Sequence, residues 1–174
     1  MGVLDTVQAG KTVQDVIGFG GGIPVVGSIA EGVKLGPTAV ELVDSTMIGL
    51  ARDIPLYRAT MERFVRGEPE ALLVVEFAEE DPAENLRRLK RLGEVMGDLG
   101  FGWDKAGAHW GGVVEVHEPG LQAAITTVRQ SGLNIMMSMK QEGKPVSFVE
   151  DCAVPLEHLA DYTARLTQVF EKHG

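Results

Sequence analysis

Two cations have the type and placement to do chemistry. Arg129 stands near the end of a helix-patterned run whose apolar residues are Leu121, Ile125 and Val128. Lys144 opens a strand-like stretch after the polar turn Met139 to Gly143. A guanidinium fork and an ammonium converging in a cleft can hold a carboxylate by charge-assisted hydrogen bonds. Residue types alone leave two accounts open, that clamp or a pair of solvated surface cations. Other constellations are scarce. The four histidines, His109, His117, His158 and His173, lack a His-x-x-x-His spacing, so each reads as a surface residue and no metal is expected. Cys152 follows Glu150 and Asp151, whose negative charge disfavours the thiolate a nucleophile needs, so it reads as a packed, unreactive thiol. Adjacent strand residues point to opposite faces, so at most one of Glu150 and Asp151 can serve a given site. Trp103, His109 and Trp110 suggest an aromatic pocket wall, although a loop packed onto a sheet is the more economical account.

The glycine-rich run Gly18 to Gly22 invites a phosphate-loop reading, which its spacing does not support. No third glycine stands three residues after Gly22, no strand-like run precedes Gly18, and no Gly-Lys-Ser/Thr ending follows. Glycine at this density suits loops, so residues 1–34 are expected to form an irregular, unassigned head.

The elements that must position the two cations begin after it. The apolar spacing of Val40, Val43, Met47, Ile48 and Leu50 predicts a helix from Thr38 to Ala51, ended by Ile54-Pro55. Ala71 to Phe77 predicts a buried strand. Acidic residues before Pro82 open a helix with Leu86, Leu89, Leu92, Val95, Met96 and Leu99 as its buried stripe. Its cations Arg87, Arg88, Lys90 and Arg91 then face water. Gly111 to Val116 is a second strand, followed by the helix carrying Arg129, and Lys144 to Val149 a third. A last helix starts at Pro155 and shares Leu159, Tyr162, Leu166, Val169 and Phe170 on one face. Strands alternating with helices give a layered α+β or α/β architecture.

Composition bounds the partners. A chain of 174 residues, 44% apolar and 24% charged, suits one core. A net charge of −9 repels nucleic acid and anionic lipid, while one local cation still suffices for a small anion. With one cysteine, no basic-then-apolar leader and no run of about 20 apolar residues, a cytoplasmic protein without a membrane span is expected.

The segments Leu35-Gly36-Pro37-Thr38-Ala39-Val40-Glu41-Leu42-Val43-Asp44 and Ala71 to Phe77 resemble the C-terminal domain of FAD-linked oxidases. That family includes D-lactate, glycolate and D-2-hydroxyglutarate dehydrogenases. Its most characteristic stretch resembles Val128-Arg129-Gln130-Ser131-Gly132-Leu133, Met136 to Met139, Lys144 to Asp151 and Ala153-Val154-Pro155. The resemblance spans residues 35–174. It implies an α+β fold, a mostly antiparallel sheet covered by helices with ferredoxin-like layering, forming part of a substrate-side cap domain. It also implies FAD bound by a domain outside this chain, a small 2-hydroxy-acid substrate such as lactate or glycolate, and hydride transfer to the flavin. Arg129 and Lys144 match the family's carboxylate-binding arginine and lysine. The chain departs from the pattern at Thr126, where the family tends to place a tryptophan, and it ends before the family's histidine-bearing segment. The chain alone is therefore expected to be inactive. The alternative is a non-catalytic interaction or small-molecule-binding module, which ferredoxin-like layering also suits. A domain cut before its last strands exposes an edge, so self-association is expected.

Overall fold

Ala71–Phe77 organises the molecule, because all seven of its residues are buried. A strand buried along its whole length, apolar except for Glu76, needs cover on both faces. The computed structural model describes residues 13–19 (backbone only), 32–104, 109–138 and 152–173. Its strands are β1 (Val13–Phe19), β2 (Ala39–Asp44), β3 (Ala71–Phe77), β4 (Phe101–Gly102) and β5 (His109–Val116). They form a five-stranded sheet in the order β2-β3-β1-β5-β4. The pairs β2–β3, β3–β1 and β1–β5 are antiparallel, and only the short β4–β5 pair is parallel. The α+β class with a mostly antiparallel sheet therefore holds.

Alternation along β3 divides the core in two. Leu73, Val75 and Phe77 pack, with Phe101, against Leu89, Leu92 and Met96 of α3 (Pro82–Asp98). Leu72 and, on β5, Val116 meet the other layer. That layer holds α1 (Ser45–Asp53), α2 (Pro55–Phe64), α4 (Pro119–Gln130) and α5 (Gly132–Met137), through Ile48, Met61, Phe64, Ile125 and Ile135. Each fully buried Leu, Ile, Met or Phe stabilises the fold by about 1.5–3 kcal/mol relative to exposure. Helices thus stand on both faces of the sheet, a third layer beyond the two that ferredoxin-like packing requires.

Local chemistry sets the boundaries. Asp81 caps α3 by accepting from the Ala83 amide at 2.9 Å, with Pro82 at the first helical position. Asn85, 1% exposed, begins the buried stripe of α3. Its Oδ1 accepts from the Glu79 amide at 2.9 Å and its Nδ2 donates to the Glu79 carbonyl at 3.1 Å, clamping the loop after β3. Leu86, expected in that stripe, is instead 51% exposed. Arg87 and Arg91 are exposed as expected, but Arg88 reaches back to the Gly36 carbonyl at 2.8 Å and pairs with Glu79 and Glu84.

Two expectations fail in the first third of the chain. The helix expected over Thr38 to Ala51 is a strand, β2, followed by a helix, α1. Asp44 divides them, accepting from the Met47 amide at 2.8 Å as the cap of α1. Before it, Val40 to Val43 pair along β3, and that pairing outweighs the helical spacing. The irregular reading of residues 1–34 does not hold over Val13–Phe19, which forms β1 between β3 and β5. Glycine lowers strand propensity, but pairing on both edges overrides it. The strand expected at Lys144 to Val149 lies outside the described residues.

By contact density the chain divides into Met1–Glu142 and Gly143–Gly174. In the second unit a single 3-10 turn, Leu156–His158, leads into α6 (Leu159–His173). The last helix is thus present, but Val169 and Phe170 on its apolar face are 51% and 45% exposed. Among the described residues, no helix is long and apolar enough to cross a membrane.

Candidate functional site

Arg129 is carried by α4, a helix fixed at both ends. Pro119 starts it, and the buried Gln122 donates from Nε2 to the Val116 carbonyl at 2.8 Å, tying its first turns to β5. Leu121 and Ile125 are buried on the sheet side. The next inward turn brings Val128 and Arg129 toward β2. There Arg129 meets Glu41, an acid within the Ala39–Asp44 strand that stands opposite Val74 of β3. Nε and Nη2 of Arg129 both bond the Glu41 carboxylate, side-on and bidentate. Among the described residues, Nη1 has no partner. The two side chains are 16% and 35% exposed, which places the pair at a boundary between solvent and core.

Below the pair lies a cavity of about 400 Å³. Its more exposed wall carries Glu41, Asp44 and Arg129, and its buried floor is formed by Ala51, Met61, Phe64, Leu72 and Ile125. A largely apolar pocket with a few convergent polar groups is the usual form of a small-molecule site. Arg129 is thus a half-buried cation at the mouth of an apolar cavity rather than a freely solvated one. Lys144 lies outside the described residues. Sequence reasoning missed Glu41. The available signal was an acid between two apolar residues, Val40 and Leu42, of a strand, which needs a partner when half-buried.

The remaining candidates resolve into packing. Trp103 and Trp110 meet edge-on with centroids 5.7 Å apart, and the Arg66 guanidinium sits 5.0 Å over Trp103. A Cβ added at Gly67 would stand 2.8 Å from Trp110, and one at Gly112 would stand 2.8 Å from Trp103. The indoles are therefore closely packed on the chain, as the loop-on-sheet account expects. His109 lies 5.2 Å from the Phe101 ring, while His117 pairs with Glu115 at 2.8 Å and His158 with Glu157 at 3.6 Å. Among the described residues, no three His, Cys, Asp or Glu side chains are placed to hold a metal ion.

Cys152 is exposed, which corrects the expectation of a packed thiol. At the surface it bonds Tyr162. That hydrogen bond, with some desolvation, holds the Tyr162 hydroxyl above its ordinary 10.0.

The chain is similar to three bacterial proteins, each named as a D-2-hydroxyglutarate dehydrogenase. It is 30% identical over 142 residues to the protein from Escherichia coli, covering 78% of this chain and 13% of that protein. It is 29% identical over 143 residues to the one from Pantoea ananatis, with the same two coverages. It is 26% identical over 153 residues to the one from Haemophilus influenzae, covering 82% of this chain and 14% of that protein. The chain thus spans only a small part of the length of these curated relatives. The family described as FAD linked oxidases, C-terminal domain, matches residues 19–174, from the last residue of β1 onward. Helices laid over a mostly antiparallel sheet agree with that match, and the chain belongs to the family of FAD linked oxidase C-terminal domains.

Proposed function

We propose that this chain is the substrate-side part of an FAD-dependent oxidoreductase that oxidises a D-2-hydroxy acid of the lactate or glycolate type. Arg129 and Lys144 hold the substrate carboxylate in this reading. The observation that carries it is Arg129 at the mouth of the 400 Å³ cavity, with Nη1 turned to no protein partner among the described residues. One edge of the guanidinium is taken by Glu41, and the outer edge, Nη1 with the second Nη2 hydrogen, suits a second carboxylate.

The same cavity does not fit the flavin dinucleotide. Its mouth carries Glu41 and Asp44 beside an arginine already in an ion pair, and Asp44 occupies the α1 N-terminus there, whereas a diphosphate needs unpaired cations or an open helix N-terminus. In this reading FAD belongs to another part of the enzyme, where it supplies the acceptor for the hydride leaving substrate C2. What the present residues contribute is binding and orientation.

The test is made on the holoenzyme that contains this chain. D-2-hydroxy acids bleach the flavin anaerobically, and Arg129→Met lowers kcat/KM by about 100-fold, the size expected for losing a charge-assisted bidentate contact. Unchanged kcat/KM in Arg129→Met refutes the assignment. One observation favours a second reading, a non-catalytic module: Glu41 already fills the fork of Arg129, as in a purely structural tie. On that reading Arg129→Met shifts the melting temperature, and 2-hydroxy acids leave the flavin unreduced.

A further inference from the structure

We propose that the cavity beneath Arg129 selects 2-hydroxy acids with a branched or aromatic apolar side chain, and rejects those with a second carboxylate. The inference rests on the reading above only for the carboxylate, which Arg129 receives, and departs from it on the side chain, replacing the methyl or hydrogen of lactate or glycolate by a larger apolar group.

Size, lining and charge point the same way. A methyl group, the side chain of lactate, fills little of the roughly 400 Å³ and leaves the rest to water. An isobutyl or benzyl group fills more of it and gains contact with every wall it reaches. The floor offers only apolar partners: Met61, Phe64, Leu72 and Ile125 are each no more than 4% exposed. A carboxylate driven down to them loses its water without gaining a donor, the condition under which a buried charge is most unfavourable. The cavity's own acids, Glu41 and Asp44, stand at the mouth and repel a second negative group. Among the described lining residues the one cation is Arg129, and the first carboxylate occupies it.

A site can discriminate by rejecting the wrong ligand as well as by attracting the right one. Here the apolar floor supplies both effects, favouring a hydrocarbon tail and disfavouring a charged one. This chain would thereby differ from its relatives named for D-2-hydroxyglutarate, whose substrate carries two carboxylates.

Isothermal titration of the full 174-residue chain with three D-2-hydroxy acids tests this: 2-hydroxy-4-methylpentanoate, lactate and 2-hydroxyglutarate. The branched acid is expected to bind about tenfold or more tighter than either of the others. Arg129→Met should weaken it by a similar factor. Ala51→Leu, which fills the floor, should weaken the branched acid more than it weakens lactate, narrowing the ratio between them. Val74→Met repeats the filling from the sheet side, and melting curves confirm that each variant is folded. If 2-hydroxyglutarate binds as tightly as the branched acid and depends on Arg129, the selectivity is overturned while the carboxylate reading stands. Binding of the branched acid that is indifferent to both filling variants also overturns the selectivity. If no acid binds the parent chain, or if Arg129→Met changes nothing, both fall together.

Discussion

Neutralising one member of the Arg129–Glu41 pair tests whether it ties α4 to β2. Arg129 and Glu41 are 16% and 35% exposed, so the pair sits between the limits of surface and buried ion pairs. Exposed pairs contribute about 0–1 kcal/mol, and removing one partner from a buried pair destabilises by about 3–5 kcal/mol. Glu41→Gln keeps the shape of the side chain but leaves the guanidinium at the cavity mouth without its counter-charge, and a loss of about 2 kcal/mol is expected. Arg129→Met leaves a carboxylate with more access to water, so its loss should be smaller, about 1 kcal/mol. The double variant leaves neither charge stranded. It should lose less than the sum of the two, with a coupling of about 1 kcal/mol. Urea unfolding of the four proteins, followed by a probe within Met1–Glu142, measures that cycle. A coupling below about 0.3 kcal/mol, within the range of independent sites, would refute the reasoning and return Arg129 to the status of a solvated cation.

Three further outcomes are expected. Gly67 has φ of 59°, and a Cβ there would stand 2.8 Å from Trp110. Gly67→Ala therefore combines left-handed backbone strain with overpacking and should cost about 2–4 kcal/mol in urea unfolding, whereas a cost under about 1 kcal/mol would contradict the tight contact. Glu84 is held below its ordinary 4.5 by hydrogen bonds from Arg88 and then Arg87. Because the folded value is the lower one, its contribution is complete above pH 4.5 and is lost as pH falls through the folded value. The stability difference between the parent and Glu84→Gln should accordingly vanish in acid and shrink with added salt; a difference growing toward low pH would reverse the sign. Finally, Leu42 is 56% exposed on β2, a strand at one end of the sheet order, so the parent should self-associate through that edge. Light scattering should find Leu42→Lys more nearly monomeric, and a parent already monomeric at high concentration counts against the interface.

The sequence was most legible where one physical signal dominated. Ala71–Phe77 is apolar except for Glu76, and the strand was read at its observed limits. The start of α3 was legible in its acids and Pro82, and α4 in Pro119 and its apolar spacing. Legibility failed where distant partners decide. Val40, Val43 and Met47 fit a helical period as well as a strand followed by a capped helix, and only the ladder to β3 chooses between them. The same holds for β1, which contains one glycine, Gly18, but abuts the glycine run that follows it, and whose two neighbours impose the strand. Asn85 took the inward place expected of Leu86, because a hydrophobic stripe does not anticipate a buried amide that clamps a loop. At the site, Arg129 was legible by type and by family resemblance. Glu41 was not, since nothing local relates it to an arginine 88 residues away.

The position of β1 sets an order of events for the chain. It is the first strand to be synthesised among those described, yet it lies in the middle of the sheet, bonded to β3 on one side and β5 on the other. The sheet cannot close until β5 has been made, and such distant pairing is slow. All but the last residue of β1 also precedes the stretch that matches the family. The middle place is thus held by a segment paired on both edges through backbone hydrogen bonds, which are themselves largely indifferent to side-chain identity. A chain begun after Phe19 would present two facing edges with a gap one strand wide. A separate Val13–Phe19 peptide could seat itself there and restore the fold by complementation in trans, which would make the two pieces a split protein.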